Sequence, residues 1–223
     1  MVLYPLMSKH WAAGAIEAAA GVTYRAFHLS MLALAPLVLV MGCLREDFIC
    51  MAFGVSFLPA SAPLAILLVG YLFNGVTSRP LGASMAAIGY PQADFYRSSL
   101  AAGINVGLNL LLIPQWGLAG AAWATTTSLV ATSLMSVGIF SRLSGIRVPR
   151  RSIVVAGALL CVLGLLNQIP TSGLPARLLV ASGGAGLLFM GGWHLLLAPA
   201  DRRYVTSQLE LGSRLLPFRR VGG

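Results

Sequence analysis

Apolar segments long enough to cross a lipid bilayer recur along this chain and constrain its fold more than any other feature. Hydrophobic residues make up 57% of the chain and charged residues 9%, whereas soluble domains carry about 25% charged residues. About 20 apolar residues span the hydrocarbon core. Six segments approach this length, at 26–44, 62–85, 97–113, 118–140, 152–169 and 177–197. The sequence therefore predicts an all-α membrane protein with about six transmembrane helices.

The positions of arginine and lysine predict the orientation of these spans. With the N-terminus inside, the outer loops hold only Arg45 and Arg177. The inner segments hold Lys9, Arg25, Arg97, Arg142, Arg147, Arg150, Arg151, Arg202, Arg203, Arg214, Arg219 and Arg220. Cytoplasmic loops show such an excess, so both termini are predicted to be cytoplasmic. The net charge of +9 follows from this bias, and no aromatic-basic surface suggests nucleic-acid binding.

The predicted spans divide the chain into five segments. They are a cytoplasmic pre-span segment at 1–25, four spans within 26–140, a basic cytoplasmic loop at 141–151, two additional spans within 152–197 and a basic cytoplasmic tail at 198–223. The pre-span segment is alanine-rich and helix-prone. Gly145 and Pro149 interrupt helical structure in the basic loop.

Spans three and four form the most informative local pattern. Asn105 and Asn109 lie one helical turn apart, and a turn from Pro114 to Gly117 separates them from Gly120 and a hydroxyl-rich stretch. Two membrane-length helices joined by so short a turn must be antiparallel and adjacent. Small residues allow their backbones to approach, and amide and hydroxyl groups can bond across the contact.

This pattern also resembles a known family. Asn105-x-x-x-Asn109 followed by Leu-x-Leu-Ile-Pro-x-x-Gly-x-x-Gly-Ala-Ala-x-Ala-Thr is similar to the signature of polysaccharide and O-antigen flippases of the MATE-like MOP superfamily. Leu3-Tyr4-Pro5-Leu6 with Gly14-x-x-Glu17, Phe53-Gly54-x-x-Phe57 and Ala87-Ile88-Gly89 are similar to flanking family motifs, so the resemblance covers residues 1–140.

The resemblance implies most of one lobe of a flippase that moves lipid-linked oligosaccharide across the bacterial inner membrane for surface polysaccharide synthesis. The polyprenyl-pyrophosphate oligosaccharide would be the substrate. The resemblance implies no enzymatic step, no cofactor and no metal. Family members have two lobes that rock around a central cavity. This chain would be incomplete alone, and its partner would be an N-terminal lobe or a second copy of itself.

Three features are candidates for the substrate path. Thr125, Ser128 and Thr132, with Ser136, share one helical face and either line a hydrated cavity or bond neighbouring helices. Asn105 and Asn109 have the same two interpretations. Arg79 precedes Pro80 in the second span, and Asn74, Thr77 and Ser84 lie on the same segment. Pro80 has no amide proton and is predicted to interrupt the helix.

Arg79 itself has two interpretations. Its guanidinium suits the oxygens of a lipid-linked pyrophosphate, and an arginine at this depth usually faces protein or water. If the span instead ends at Pro80, Arg79 extends to the inner membrane surface.

Two other function classes remain open. A MATE-type small-molecule exporter is expected to have a membrane-embedded carboxylate for cation coupling. A membrane glycosyltransferase or O-antigen ligase needs catalytic residues in a large outer loop, whereas the predicted outer loops are short and the longest covers about residues 45–61. All six acidic residues fall in predicted loops or tails, namely Glu17, Glu46, Asp47, Asp94, Asp201 and Glu210.

Glycine and cysteine spacings add two further expectations. Gly103 and Gly107 form a GxxxG match, which indicates close packing inside the chain, with homodimerisation as the alternative. Cys43 and Cys50 lie near the predicted outer face, either as separate thiols or as a disulfide, and Cys161 shows no metal-binding spacing with them.

Overall fold

A computed structural model describes residues 3–146 and 173–195, and these residues are almost entirely helical without a β-strand. The elements are α1 (Leu3–Ala12), α2 (Ile16–Cys43), α3 (Arg45–Phe53), a 3₁₀ segment (Val55–Ala60), α4 (Ser61–Phe73), a π-helical turn (Asn74–Ser78), α5 (Arg79–Ala87), α6 (Pro91–Ser144) and α7 (Leu174–Leu195). The predicted span 152–169, most of the basic loop, the tail 198–223 and Cys161 lie outside the described residues.

Four segments in the described part of the chain are long and apolar enough to cross a membrane. They are Ile16–Cys43, Val55–Ala87, Pro91–Ser144 and Leu174–His194. Large apolar side chains on them point outward, and Leu110, Leu179 and Leu187 are each more than 70% exposed. Soluble monomers rarely expose contiguous apolar surface on this scale, whereas lipid is a suitable environment for it.

α6 consists of two helical arms, which correspond to predicted spans three and four. Gly117 separates them with φ 54° and ψ −126°, a conformation that residues with a Cβ rarely adopt. A hydrogen bond of 2.8 Å from Ser128 Oγ to the Ala101 carbonyl joins the arms. The predicted antiparallel hairpin is confirmed.

Gly120 allows the two arms to approach each other closely. A Cβ built on Gly120 would lie 2.2 Å from the Leu112 carbonyl oxygen, so no larger residue fits. Gly103 and Gly107 behave differently, because a Cβ on either would have no described atom within 4 Å. The expectation that this GxxxG pair packs inside the chain is therefore wrong for the part of the chain described here. A GxxxG match identifies two small residues on one helical face, but it does not predict whether a neighbouring helix packs against that face.

The N-terminal region differs from the prediction in its boundaries. α2 begins at Ile16, ten residues before the predicted span, so Arg25 lies within a helix. The helix-prone residues 11–20 do not form a helix of their own but are divided between α2, which begins at Ile16, and α1, which ends before Gly14 (φ 69°). Its Met7 is fully buried and accepts a 3.7 Å hydrogen bond from Thr23. α1 is therefore packed into the bundle.

One hydrophobic cluster joins α1, α2, the segment from α4 to α5 and the C-terminal end of α6. It comprises Met7, Ala19, Val22, Phe27, Met31, Ala35, Val38, Leu72, Val76, Leu81, Met85, Ala87, Ile88, Phe140 and Ile146. α6 ends at Ser144 and so includes the first four residues of the predicted basic loop, and Gly145 follows with φ 70°. The predicted break at Gly145 is confirmed as a left-handed helix cap.

The opposite end of the bundle is joined by ion pairs. Arg177 Nη1 of α7 lies 2.9 Å from Glu46 Oε2 and 3.2 Å from Asp47 Oδ2 of α3. Residues 45–61, predicted as the longest outer loop, are thus largely helical. Glu46 and Asp47 lie on α3, not in an irregular loop. Cys43 and Cys50 are free thiols, as expected from the first of the two alternatives.

The ion-paired end should face the periplasm if the arginine distribution sets orientation. We expect a membrane-impermeant thiol reagent to label Cys50 in intact cells and to leave Cys161 unlabelled, using variants that keep one cysteine each. Reporter fusions after residues 145 and 223 should both report the cytoplasm. A periplasmic signal from either fusion would contradict the predicted arrangement of six spans.

Candidate functional site

A polar cavity of about 590 Å³ lies between α5 and the two arms of α6, within the range of roughly 300–1,000 Å³ typical of ligand sites. Its lining residues are Asn74, Ser78, Arg79, Gly82, Ala83, Asp94, Arg97, Ser98, Ala101, Ala102, Asn105, Thr125, Ser128, Leu129 and Thr132. In each segment they recur every three or four residues, so each helix contributes one face. Six of the eight predicted path residues meet here, namely Arg79, Asn74, Asn105, Thr125, Ser128 and Thr132.

The π-helical turn places Arg79 and Asn74 on the cavity wall. Pro80 has no amide hydrogen to donate to the Val76 carbonyl, and the helix contains a wider turn at Asn74–Ser78 immediately before it. Thr77 Oγ1 donates a 2.5 Å hydrogen bond to the Phe73 carbonyl within this turn. The interruption predicted at Pro80 therefore takes the form of a π-helical turn.

Arg79 is exposed to the cavity and lies within the continuous helical segment Val55–Ala87. α5 continues to Ala87, and a rise of about 1.5 Å per residue places Arg79 roughly 12 Å from that end. The alternative in which Arg79 reaches the membrane surface assumed a span ending at Pro80, and the helix does not end there. Within the described part of the chain, no hydrogen bond or ion pair engages the Arg79 side chain.

A second arginine in the cavity is ion-paired. Arg97 is only 7% exposed, and its Nε and Nη2 both donate to Oδ1 of Asp94. Nη2 also lies 3.4 Å from Ser98 Oγ. Asp94 is 39% exposed and is therefore the more solvated partner. A carboxylate and a guanidinium paired three residues apart on one helix stabilise each other.

The hydroxyl stripe, formed by Thr125, Ser128, Thr132 and Ser136, has both of its predicted roles, each at a different position along the helix. Thr125, Ser128 and Thr132 line the cavity. Ser136, one turn further, does not line it and lies 3.2 Å from Ser78 Oγ, which is also 3.3 Å from Ser133 Oγ. The stripe therefore forms part of the cavity wall at one end and a packing contact between helices at the other.

Asn105 and Asn109 also differ in role, because only Asn105 lines the cavity. Asn105 Nδ2 donates to Thr125 Oγ1 at 3.3 Å across the hairpin, and Asn105 lines the cavity. Asn109 donates to Asn105 Oδ1 at 2.9 Å but does not line it. Thr77 also fails to reach the cavity. The path roles predicted for Asn109 and Thr77 therefore have no support from their positions, because Asn109 orients Asn105 and Thr77 bonds its own helix.

Comparison with curated proteins gives a partial match to an uncharacterised membrane protein of Methanocaldococcus jannaschii. The two are 30% identical over 125 residues, which are 56% of this chain and 24% of that protein. This chain is an all-helical membrane protein. It spans about a quarter of the length of the curated relative that it matches. No protein-family model matches the chain, and no solved structure matches it significantly.

Nine of the fifteen residues that line the cavity were not predicted from the sequence, and Ser78, Gly82, Asp94 and Arg97 are among them. The predicted third span begins at residue 97 and leaves Asp94 in a loop. In the structure, α6 begins at Pro91 and includes Asp94. Proline is common at the first position of a helix, so Pro91 indicates that the helix begins six residues earlier than predicted. Once the helix starts there, Asp94 and Arg97 share a face.

Proposed function

We propose that this chain is one lobe of a membrane flippase that moves lipid-linked oligosaccharide, and that its cavity holds the polar head group. The observation that carries the proposal is Arg79, a cation exposed to a polar cavity within apolar helices and without a protein counter-ion among the described residues. An arginine at the centre of a membrane helix costs about 2.5–3.5 kcal/mol on insertion scales. A ligand that binds Arg79 gives this cost a functional reason.

The chemistry of the cavity suits a phosphorylated sugar. A planar guanidinium donates to phosphate oxygens in a bidentate manner. Asn74 and Asn105 offer amide groups that can donate to and accept from sugar hydroxyls. Thr132 Oγ1 already donates to the Ser128 carbonyl at 2.6 Å, so its oxygen remains an acceptor. The site therefore combines one anion-binding group with several neutral polar groups.

A specific observation also favours the exporter alternative. A MATE-type exporter needs a membrane-embedded carboxylate, and Asp94 lines the cavity. Its pairing with Arg97 nevertheless leaves the cavity without a free negative charge, which disfavours a cationic cargo. The glycosyltransferase alternative gains nothing comparable, because Glu46 and Asp47 are both ion-paired with Arg177.

Two neighbouring residues of the π-helical turn provide a matched test. Asn74 lines the cavity, whereas Thr77, three residues later, bonds the Phe73 carbonyl. In a complete transporter containing this chain, Asn74→Leu should reduce surface polysaccharide export several-fold, because losing hydrogen bonds to the substrate costs about 0.5–1.5 kcal/mol each. Thr77→Val should retain export, because its role is local.

Immunoblots must show equal protein levels, and the same strains should be assayed for resistance to a toxic organic cation. Equal export by the Asn74→Leu and parental proteins would argue against a substrate path along this wall. Loss of cation resistance without loss of polysaccharide would support the exporter.

A further inference from the structure

The charges that line the cavity do not balance. Arg79 and Arg97 are the only basic side chains of its described lining, and Asp94 is the only acidic one. One net positive charge remains. Arg97 is paired with Asp94, so the excess charge resides on Arg79.

The pair between Arg97 and Asp94 is asymmetric. Both Nε and Nη2 of Arg97 donate to the single oxygen Oδ1 of Asp94. Arg97 is nearly buried, whereas the Asp94 carboxylate is partly exposed. The Asp94 carboxylate is already partly solvated and can turn to water, and a phosphate that uses the same donors with similar geometry keeps the nearly buried guanidinium paired.

We propose that Asp94 is an internal counter-ion that engages Arg97 while the cavity is empty, and that a phosphate group of the ligand displaces it. Arg79 and Arg97 then bind the same anionic group from α5 and from the first arm of α6. This inference rests on the proposed function, because it names phosphate as the group that the cavity binds and Asp94 as the residue that regulates its binding.

Gly82 provides the space that the counter-ion needs. A Cβ built on Gly82 would lie 2.6 Å from Asp94 Oδ1 and 3.2 Å from its Cγ. Real Cβ contacts do not reach 2.6 Å, so any larger residue must displace the carboxylate. Gly82 lies one turn after Arg79 on α5, and the two helices therefore meet where the ion pair forms.

The proposal predicts opposite effects for the two members of the pair. Asp94→Asn raises the net charge of the lining to two and releases Arg97, so it should tighten binding of inorganic pyrophosphate about tenfold. Arg97→Gln lowers the net charge to zero and should weaken binding by a similar factor. The double variant restores one net charge, so purely additive effects would return the parental affinity. If Asp94 acts through Arg97, the double variant should bind more weakly than the parent, and a double-mutant cycle detects this departure from additivity.

The affinity for inorganic pyrophosphate is measured by isothermal titration calorimetry on the purified full chain in phosphatidylcholine nanodiscs. Asp47→Asn is the control, since Asp47 is also paired with an arginine but lies outside the cavity; it should leave affinity unchanged. Because Asp94→Asn leaves a buried arginine unpaired, Gly82→Ala is a second variant that keeps every charge. It should tighten binding by a smaller factor.

Equal or weaker pyrophosphate binding by folded Asp94→Asn or Gly82→Ala protein would overturn the counter-ion role, as would no binding by any variant. Nanodiscs that also contain polyprenyl phosphate identify the source of the phosphate: competition with pyrophosphate indicates a lipid head group, and independent binding indicates a soluble phosphate. Polysaccharide export is measured separately. If Arg79 variants lose export but Asp94→Asn gains no affinity, the proposed flippase function stands and the counter-ion role of Asp94 is rejected.

Discussion

Replacing Arg79 by alanine should abolish surface polysaccharide export by a complete transporter that contains this chain, while the protein level stays normal. Arg79 is exposed to the cavity, lies about two turns from the end of α5 and is the cavity cation without a protein counter-ion in the described chain. A hydrogen bond to a charged group contributes about 1.5–3 kcal/mol, which corresponds to roughly 10- to 100-fold in affinity. The variant should therefore fail to hold the pyrophosphate.

Arg79→Lys should retain part of the activity, because the charge remains but the bidentate fork is lost. Arg142→Ala is the matched control. Arg142 is also an exposed arginine, near the end of α6, but it does not line the cavity. Export in a flippase-deleted strain and immunoblots of membranes give the two readouts. Normal export by Arg79→Ala would show that Arg79 does not bind the substrate.

The second large effect is that the chain alone should not restore export to a flippase-deleted strain. Alternating access needs two bodies that move against each other around a shared site. In the described chain, α5 and the two arms of α6 line one cavity, and the proposed function requires a second body that faces it. Co-expression with a matching N-terminal lobe should restore export, because that lobe supplies the facing wall.

Full complementation by the isolated chain would contradict this expectation and would favour a self-associating transporter. The exposed Gly103 and Gly107 then provide a decisive control. Neither has a described neighbour within 4 Å of a built Cβ, so Gly103→Ile and Gly107→Ile should be tolerated in the monomer. Loss of complementation in these variants would show that two copies pack through this face.

Local sequence patterns predicted much of the helical arrangement. Apolar length indicated membrane helices, and the turn ending at Gly117 required an antiparallel hairpin. Pro80 indicated an interrupted helix. Each of these features depends on interactions between residues close in sequence, where periodicity and backbone chemistry are sufficient. The shared face of Thr125, Ser128 and Thr132 followed from helical spacing in the same way.

The candidate site was predicted less completely because spacing does not say which helical faces meet. Asn109 lies one turn from Asn105 but falls beyond the cavity, and the π-helical turn directs Asn74 and Arg79 to the wall while Thr77 bonds its own backbone. A five-residue turn shifts the register of a helix relative to an uninterrupted α-helix, and the sequence gives no direct measure of that shift.

The sequence by itself determined that this is a helical membrane protein with a close hairpin and a polar arginine-containing segment. Only the tertiary structure decided that Asp94 and Arg97 belong to the same cavity as Arg79, with Gly82 against the carboxylate. It also decided that Gly120, not Gly103 or Gly107, is the point of closest approach. The physical reason is that composition and periodicity act along one helix, whereas a cavity and its charge balance arise from side chains that separate helices bring together.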